Sequence, residues 1–141
     1  MNNLKEYFDE MLEELDLADT PIERLQFVLE YGKDLDEFPK EELVQENKVP
    51  GCTSNVYIAC SKKENSTIEF KATSEALIVG GYISILFEGI NGMTSKEVLE
   101  SKDLIEEFTL KAGVRESLTP TRASAFSNIL KMIFDKVERL K

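Results

Sequence analysis

The sequence predicts an α+β domain in which a small antiparallel sheet of about three strands packs against several helices. Apolar residues recur at helical spacing at both ends of the chain, over 3–16 and again over 119–140. Between these ends, two short segments alternate apolar and polar residues around a polar turn, as in a β-hairpin. No repeat, linker or low-complexity segment interrupts the 141 residues, so we expect a single domain over 1–141.

Two helices are predicted before the sheet. Residues 3–16 place apolar side chains on one face and acidic side chains on the other. The second helix begins at Thr20, which can cap it, with Pro21 in its first turn and Glu23 placed to complete a capping box. We expect four of its residues to face the core: Ile22, Leu25, Val28 and Leu29.

The hairpin is predicted at 56–60 and 67–72, which are joined by a polar turn at 62–66. A short strand around 47–49 would add a third member to the sheet. The preceding segment, 33–50, is acidic and irregular. It is either a solvated loop or a docking surface for a partner.

Residues 75–88 fit a buried strand or a buried helix by periodicity alone, and their length and the helix-start signal at 73–75 favour a helix. Such a helix is apolar on nearly all sides and therefore central. Gly80 and Gly81 each cost it about 1 kcal/mol relative to alanine. We therefore expect another backbone to pack closely against this pair.

The rest of the chain is predicted to be helical. Thr94 and Glu97 have the spacing of a capping box, and a further short helix is expected around 104–108, ending near Gly113. The last helix opens at 119–121. Its apolar stripe consists of Phe126, Ile129, Leu130, Ile133, Phe134, Val137 and Leu140. The expected order of elements is α-α-β-β-α-α-α.

The charge of the chain limits its partners. With 27 acidic and 17 basic residues, the net charge is -10, which disfavours nucleic acids and anionic membranes. The longest apolar stretch, 76–87, is shorter than the ~18 residues of a membrane span. The first residues do not resemble a signal peptide. We therefore expect a cytoplasmic protein with neither a nucleic-acid nor a membrane partner.

Two cysteines are the main candidates for chemistry. Cys52 lies in the turn Val-Pro-Gly-Cys-Thr-Ser-Asn just before a predicted strand, where it is either a small buried residue or a reactive thiol. Cys60 shares a strand face with Val56 and Ile58, so we expect it in the core. Eight extended residues span roughly 25 Å, too far for a disulfide between the two. We therefore expect two free thiols.

Several chemistries are excluded by composition. The chain has no histidine, which removes a Cys–His nucleophile pair. Two cysteines are too few for a zinc site or an iron–sulfur cluster, so we expect no bound metal. Neither a Cys-x-x-Cys pair nor a phosphate-binding glycine motif is present. What remains is a thiol that accepts and donates a group, and sulfur suits it because a persulfide needs one nucleophilic sulfur.

From about Thr20 to its end, the chain resembles the SufE-like cysteine desulfuration proteins, which include CsdE. Three segments carry the resemblance. They are Asn-Lys-Val-Pro-Gly-Cys-Thr-Ser-Asn-Val-Tyr-Ile at 47–58, Ser-Glu-Ala-Leu-Ile-Val-Gly-Gly at 74–81 and Leu-Thr-Pro-Thr-Arg at 118–122. Their order and spacing agree with the family pattern. The resemblance implies a single SufE-like domain whose fold is also similar to that of the IscU scaffolds.

The resemblance implies a function in sulfur transfer. Cys52 would accept persulfide sulfur from a pyridoxal-phosphate cysteine desulfurase similar to SufS or CsdA and pass it to an iron–sulfur assembly scaffold. The chain would also stimulate the desulfurase, as an accessory protein rather than a stand-alone enzyme. The pyridoxal phosphate belongs to the partner, and no cofactor is implied here. IscU-type scaffolds use three cysteines at their cluster site, which this chain cannot supply.

Two further residues match family positions near the cysteine. Glu75 matches an acidic position, and Arg122 matches an arginine. Each has a structural alternative: Glu75 favours a helix start through the helix dipole, and Arg122 pairs with a carboxylate in a first helical turn. The competing hypothesis for the whole chain is an acidic protein-binding module without thiol chemistry.

Overall fold

The computed structural model of the protein describes residues 3–51, 55–113 and 120–141, with backbone only for 120–123. The described part contains two helices, a β-hairpin and then four more helices. In chain order the elements are α1 (Leu4–Asp16), α2 (Pro21–Gly32), β1 (Val56–Lys62), β2 (Ile68–Ser74), α3 (Leu77–Ile90), α4 (Ser95–Glu100), α5 (Lys102–Lys111) and α6 (Pro120–Arg139). Two short 3₁₀ helices, Lys40–Glu42 and Gln45–Asn47, lie between α2 and β1. The predicted α+β class is confirmed.

The sheet is smaller than expected. β1 and β2 pair in antiparallel register, with Val56 opposite Ser74. At 47–49 the described residues form an isolated bridge between Lys48 and Tyr57 instead of a third strand. The reason is local: the segment before Lys48 is a 3₁₀ helix, and Pro50 has no N–H to extend the ladder.

The central element is α3, which confirms the helical interpretation of this apolar segment. It begins at Leu77 rather than at 75 because β2 continues through Ser74. Nearly all of its residues are buried. A Cβ added at Gly81 would overlap the backbone of Val28 in α2, which confirms the expected close approach of another backbone. At Gly80 an added Cβ would meet only side chains at ordinary contact distance.

The start of α2 is as predicted, but the face that it buries is not. Thr20 Oγ1 accepts a hydrogen bond from the Glu23 N–H at 3.2 Å. Val28 is fully buried, whereas Ile22 and Leu25 are 69% and 38% exposed, so the prediction for these two is wrong. The close approach of Val28 to α3 fixes the rotation of α2, and Ile22, six residues before Val28, lies about 120° around the helix from it.

The C-terminal helices follow their predicted signals closely. Thr94 and Glu97 form the capping box with each other at the start of α4. The helical segment is interrupted at Ser101, which separates α4 from α5 and gives one helix more than expected after the hairpin. The apolar stripe of α6 is buried as predicted, apart from the partly buried Leu140. No helix among the described residues has both the length and the apolar character needed to cross a membrane.

Candidate functional site

The segment 50–55, here called the cysteine loop, is described at its two ends. Pro50, Gly51 and Asn55 belong to the described residues, while Cys52 lies outside them. At the base of the loop, the Val49 N–H donates to the Val56 carbonyl oxygen at 2.9 Å. The two ends of the loop are therefore held next to each other at the start of β1.

Glu75 holds the C-terminal end of the cysteine loop. Its Oε1 accepts a hydrogen bond from the Asn55 N–H at 2.8 Å, and its own N–H donates to the Asn55 carbonyl oxygen at 3.0 Å. Glu75 lies between β2 and α3, one residue before Ala76, which caps α3 without a side-chain hydrogen bond. The predicted site residue therefore contacts the cysteine loop directly. The described partner of its carboxylate is the loop backbone.

Asn128 of α6 holds the N-terminal end of the loop. Its Nδ2 donates to the Pro50 carbonyl oxygen at 3.0 Å. Gly51 has a φ of +77°, in the left-handed region that favours glycine. A Cβ at this position would also lie 2.6 Å from Asn128 Nδ2. Sequence reasoning missed Asn128, because it lies outside the apolar stripe of α6 and has no local signal.

A buried asparagine organises the segment before the loop. Asn47 is only 7% exposed. Its Nδ2 donates to the Glu42 carbonyl oxygen at 2.8 Å and to Glu42 Oε2 at 3.0 Å, and its Oδ1 accepts from Lys136 Nζ at 2.6 Å. The segment 33–50, predicted to be a solvated loop or docking surface, is thus tied to α6 by a buried side chain.

Residues 9–137 match the family model described as "SufE: Fe-S metabolism associated domain". The chain belongs to the SufE family. Membership associates it with iron–sulfur metabolism and confirms the resemblance found in the sequence motifs.

Relatives in several organisms agree with this assignment. An uncharacterised SufE-like protein of Synechocystis is 38% identical over 116 residues, which cover 82% of this chain and 70% of that protein. An uncharacterised SufE-like protein of Rhizobium meliloti is 29% identical over 133 residues, covering 92% of this chain and 94% of the relative. The Arabidopsis thaliana "SufE-like protein 1, chloroplastic/mitochondrial" is 29% identical, and the match spans only 30% of its length.

A solved structure shows the same fold. The solution structure of a hypothetical protein from Thermus thermophilus matches with a TM-score of 0.72 at 20% identity. The match covers 95% of each chain. The arrangement of hairpin and helices is therefore one that a solved structure already contains.

Cys60, the other thiol of this SufE-family chain, is a free cysteine packed against the core. Cys60 is half-buried, whereas Val56 and Ile58 on the same face of the strand are buried. Burial raises the pKa of the Cys60 thiol from 9.0 to about 12, although the nearby Lys136 ammonium opposes the shift. A thiol with this pKa is protonated at neutral pH and is a poor nucleophile.

The other predicted site residues fall largely outside the description. The side chain of Arg122 lies outside the described residues, as does Cys52, and the Arg122 backbone lies in the first turn of α6. Among the described residues, no group of three or more acidic or cysteine side chains is arranged to hold a metal ion. Of the three predicted site residues, Glu75 is thus the one whose side-chain contacts the structure describes.

Proposed function

We propose that this SufE-family chain is a persulfide carrier whose working residue is Cys52. It takes sulfur from a pyridoxal-phosphate cysteine desulfurase, stimulates that enzyme, and passes the sulfur to an iron–sulfur assembly scaffold. The observation that supports this most is the anchoring of the cysteine loop. Its base is closed by a hydrogen bond between Val49 and Val56. Its ends are bound by Glu75, which lies between β2 and α3, and by Asn128 of α6.

Such anchoring suits a carrier. A thiol that visits another protein's active site needs a short segment with fixed ends, because a long free segment would lose more conformational entropy on binding. The chain's other thiol does not compete, since burial keeps Cys60 protonated at neutral pH and it is a poor nucleophile.

The transfer itself follows thiol–disulfide exchange. The desulfurase carries a persulfide on its own cysteine, and the Cys52 thiolate attacks the outer sulfur. A sulfur–sulfur bond forms at Cys52 as the donor's sulfur–sulfur bond breaks, and the donor cysteine leaves as a thiolate that takes up the proton lost by Cys52. No electrons are gained or lost overall. Delivery to the scaffold repeats the same exchange with Cys52 as the donor.

Three other residues have supporting roles in the proposal. Glu75 positions the C-terminal end of the loop through Asn55. Lys48, at the base of the loop, and Arg122 supply positive charge that favours the Cys52 thiolate. Because the chain is strongly acidic, the partner supplies the remaining activation when it binds the loop.

Mass spectrometry tests the carrier directly. The chain is incubated with a cysteine desulfurase and cysteine, and each cysteine-containing peptide is then measured. One added sulfur is expected on the Cys52 peptide; it is lost in Cys52→Ser and kept in Cys60→Ser. Sulfur on Cys60 instead would contradict the assignment. Two results together would favour the binding module. A Cys52→Ala variant would function fully, and Cys52 of the wild-type chain would not react with iodoacetamide even in the presence of the partner.

A further inference from the structure

A groove runs beside the cysteine loop, between the segment 46–50 and the outer face of α6. Its volume is about 240 Å³. Pro50 forms one end of its wall, and Met132 contributes a half-buried apolar side chain to its lining. Pro50 precedes Cys52 by two residues, so covalent geometry keeps the two Cα atoms within about 7 Å. A partner bound in this groove would therefore lie beside the cysteine.

Hydrogen bonds fix the two walls of the groove against each other. Asn128 of α6 donates to the Pro50 carbonyl oxygen at 3.0 Å. About two helical turns further along α6, Lys136 donates to Asn47 Oδ1 at 2.6 Å and to the Glu46 carbonyl oxygen at 3.5 Å. Because both walls are tied in two places, the groove is a fixed feature of the surface.

The groove differs in charge from the rest of the chain. It is lined by three cations, Lys131, Lys136 and Arg139, and by two carboxylates, Glu46 and Asp135. The formal charge of its lining is therefore positive, in a chain whose net charge is -10. Lys136 is bound to neutral acceptors, and no ion pair within the described residues neutralises Lys131 or Arg139.

From these observations we propose that the groove docks an acidic segment of the cysteine desulfurase, with an apolar residue of that segment against Met132. The proposal rests on the proposed carrier function for the identity of the partner. Most of this acidic surface repels a carboxylate-rich segment, and the groove is a place where such a segment is attracted. Complementary charge of this kind sets the orientation of a complex and speeds its formation.

A matched pair of charge reversals tests the groove. The first variant is Lys131→Glu with Arg139→Glu, and the control is Lys5→Glu with Lys96→Glu, which changes the net charge equally. Lys5 and Lys96 are exposed and lie outside the groove. The dissociation constant for each cysteine desulfurase encoded in the same genome is measured by calorimetry at low and high salt, with circular dichroism to check folding.

The groove variant is expected to bind the desulfurase about tenfold more weakly at low salt, and the control within about twofold of wild type. High salt should narrow the difference. If the reversal prevents folding, Lys131→Gln with Arg139→Gln is expected to give a smaller loss in the same direction. Equal affinities of the groove variant and the control for the desulfurase would overturn the proposal. Binding of anionic-lipid vesicles or oligonucleotides to the groove, in place of the desulfurase, would also overturn it.

The test separates docking from sulfur transfer. Cys52→Ser is expected to bind the desulfurase as wild type does. Sulfur loading on Cys52 together with unimpaired binding by the groove variant would overturn the docking site and leave the carrier standing. Weakened binding by the groove variant without any sulfur on Cys52 would support the docking site and reject the carrier.

Discussion

Glu75 and Asn55 are joined by two hydrogen bonds, side chain to backbone at 2.8 Å and backbone to backbone at 3.0 Å. They are twenty residues apart in the chain. The pair links the end of the cysteine loop to the turn between β2 and α3. The family position that the motif identified thus has a definite physical contact, which a helix-dipole role alone would not require.

This contact predicts a local effect of Glu75→Ala. Loss of the carboxylate removes one acceptor of the Asn55 N–H, so we expect that amide to exchange with solvent about tenfold faster. Glu75→Gln should change exchange less, because its amide oxygen still accepts. Hydrogen exchange followed by NMR measures both. The control is Glu69→Ala, a half-buried acidic residue on β2 that lies away from Asn55 and faces Lys63. If it has the same effect as Glu75→Ala, the contact is not responsible.

A second prediction concerns the packing of α2 on α3. Gly→Ala in a helix normally stabilises by about 1 kcal/mol. At Gly81 the new methyl group would overlap the Val28 carbonyl oxygen and lie 2.8 Å from Val28 Cγ1, so we expect Gly81→Ala to destabilise by about 3 kcal/mol. Urea denaturation measures the change.

The neighbouring glycine provides the control for that prediction. An alanine Cβ at Gly80 would meet Leu35 Cδ1 at 3.5 Å and Ser74 Cβ at 3.7 Å, both ordinary contacts. Gly80→Ala should therefore be neutral or stabilise by up to about 1 kcal/mol. Similar effects of the two substitutions would mean that helix propensity, and not the approach of α2, determines the result.

Sequence reasoning succeeded where the signal was local. The capping box of Thr94 and Glu97 depends on residues three positions apart, and the apolar stripe of α6 is a repeat within one helix. It failed for Ile22 because the rotation of α2 is set by Gly81, far along the chain. Periodicity shows that a helix has an apolar face but does not show which part of that face a tertiary contact selects.

The candidate site shows the same division. Glu75 was found through a family motif, but its contact with Asn55 was not foreseen. Asn128 and Asn47 bond to groups 78 and 89 residues away, across the fold. A single asparagine in a helix or before a strand belongs to no local sequence pattern that predicts such a distant partner. Only the tertiary structure identifies these two asparagines as part of the candidate site.

A third prediction follows from Cys60. Its pKa is about 12 in the folded chain and near 9.0 when the thiol is free in the unfolded chain. A raised folded pKa stabilises the protein fully below pH 9, and this contribution is lost as the pH rises from 9 toward 12. Relative to Cys60→Ala, the wild type should lose about 1 kcal/mol of unfolding free energy by about pH 10.

Chemical denaturation at a series of pH values measures this difference. Burial also raises the pKa values of Tyr7 and Tyr31, but these residues are present in both proteins, so their contribution cancels. The cavity left by Cys60→Ala lowers stability equally at every pH and does not alter the slope. Parallel pH curves for the two proteins would show that Cys60 ionises normally in the folded state.

The last prediction tests whether burial makes Asn47 important. Its side chain bonds to Glu42 and to Lys136 in a nearly water-free position, so Asn47→Ala leaves the Lys136 ammonium without its closest acceptor. We expect a loss of about 2 kcal/mol in unfolding free energy by urea denaturation. Asn65→Ala is the matched control. Asn65 accepts two hydrogen bonds from Thr67 in an exposed turn, where water replaces them, and it should cost less than about 1 kcal/mol. Equal costs would show that burial does not make the hydrogen bonds of Asn47 more important than the exposed ones of Asn65.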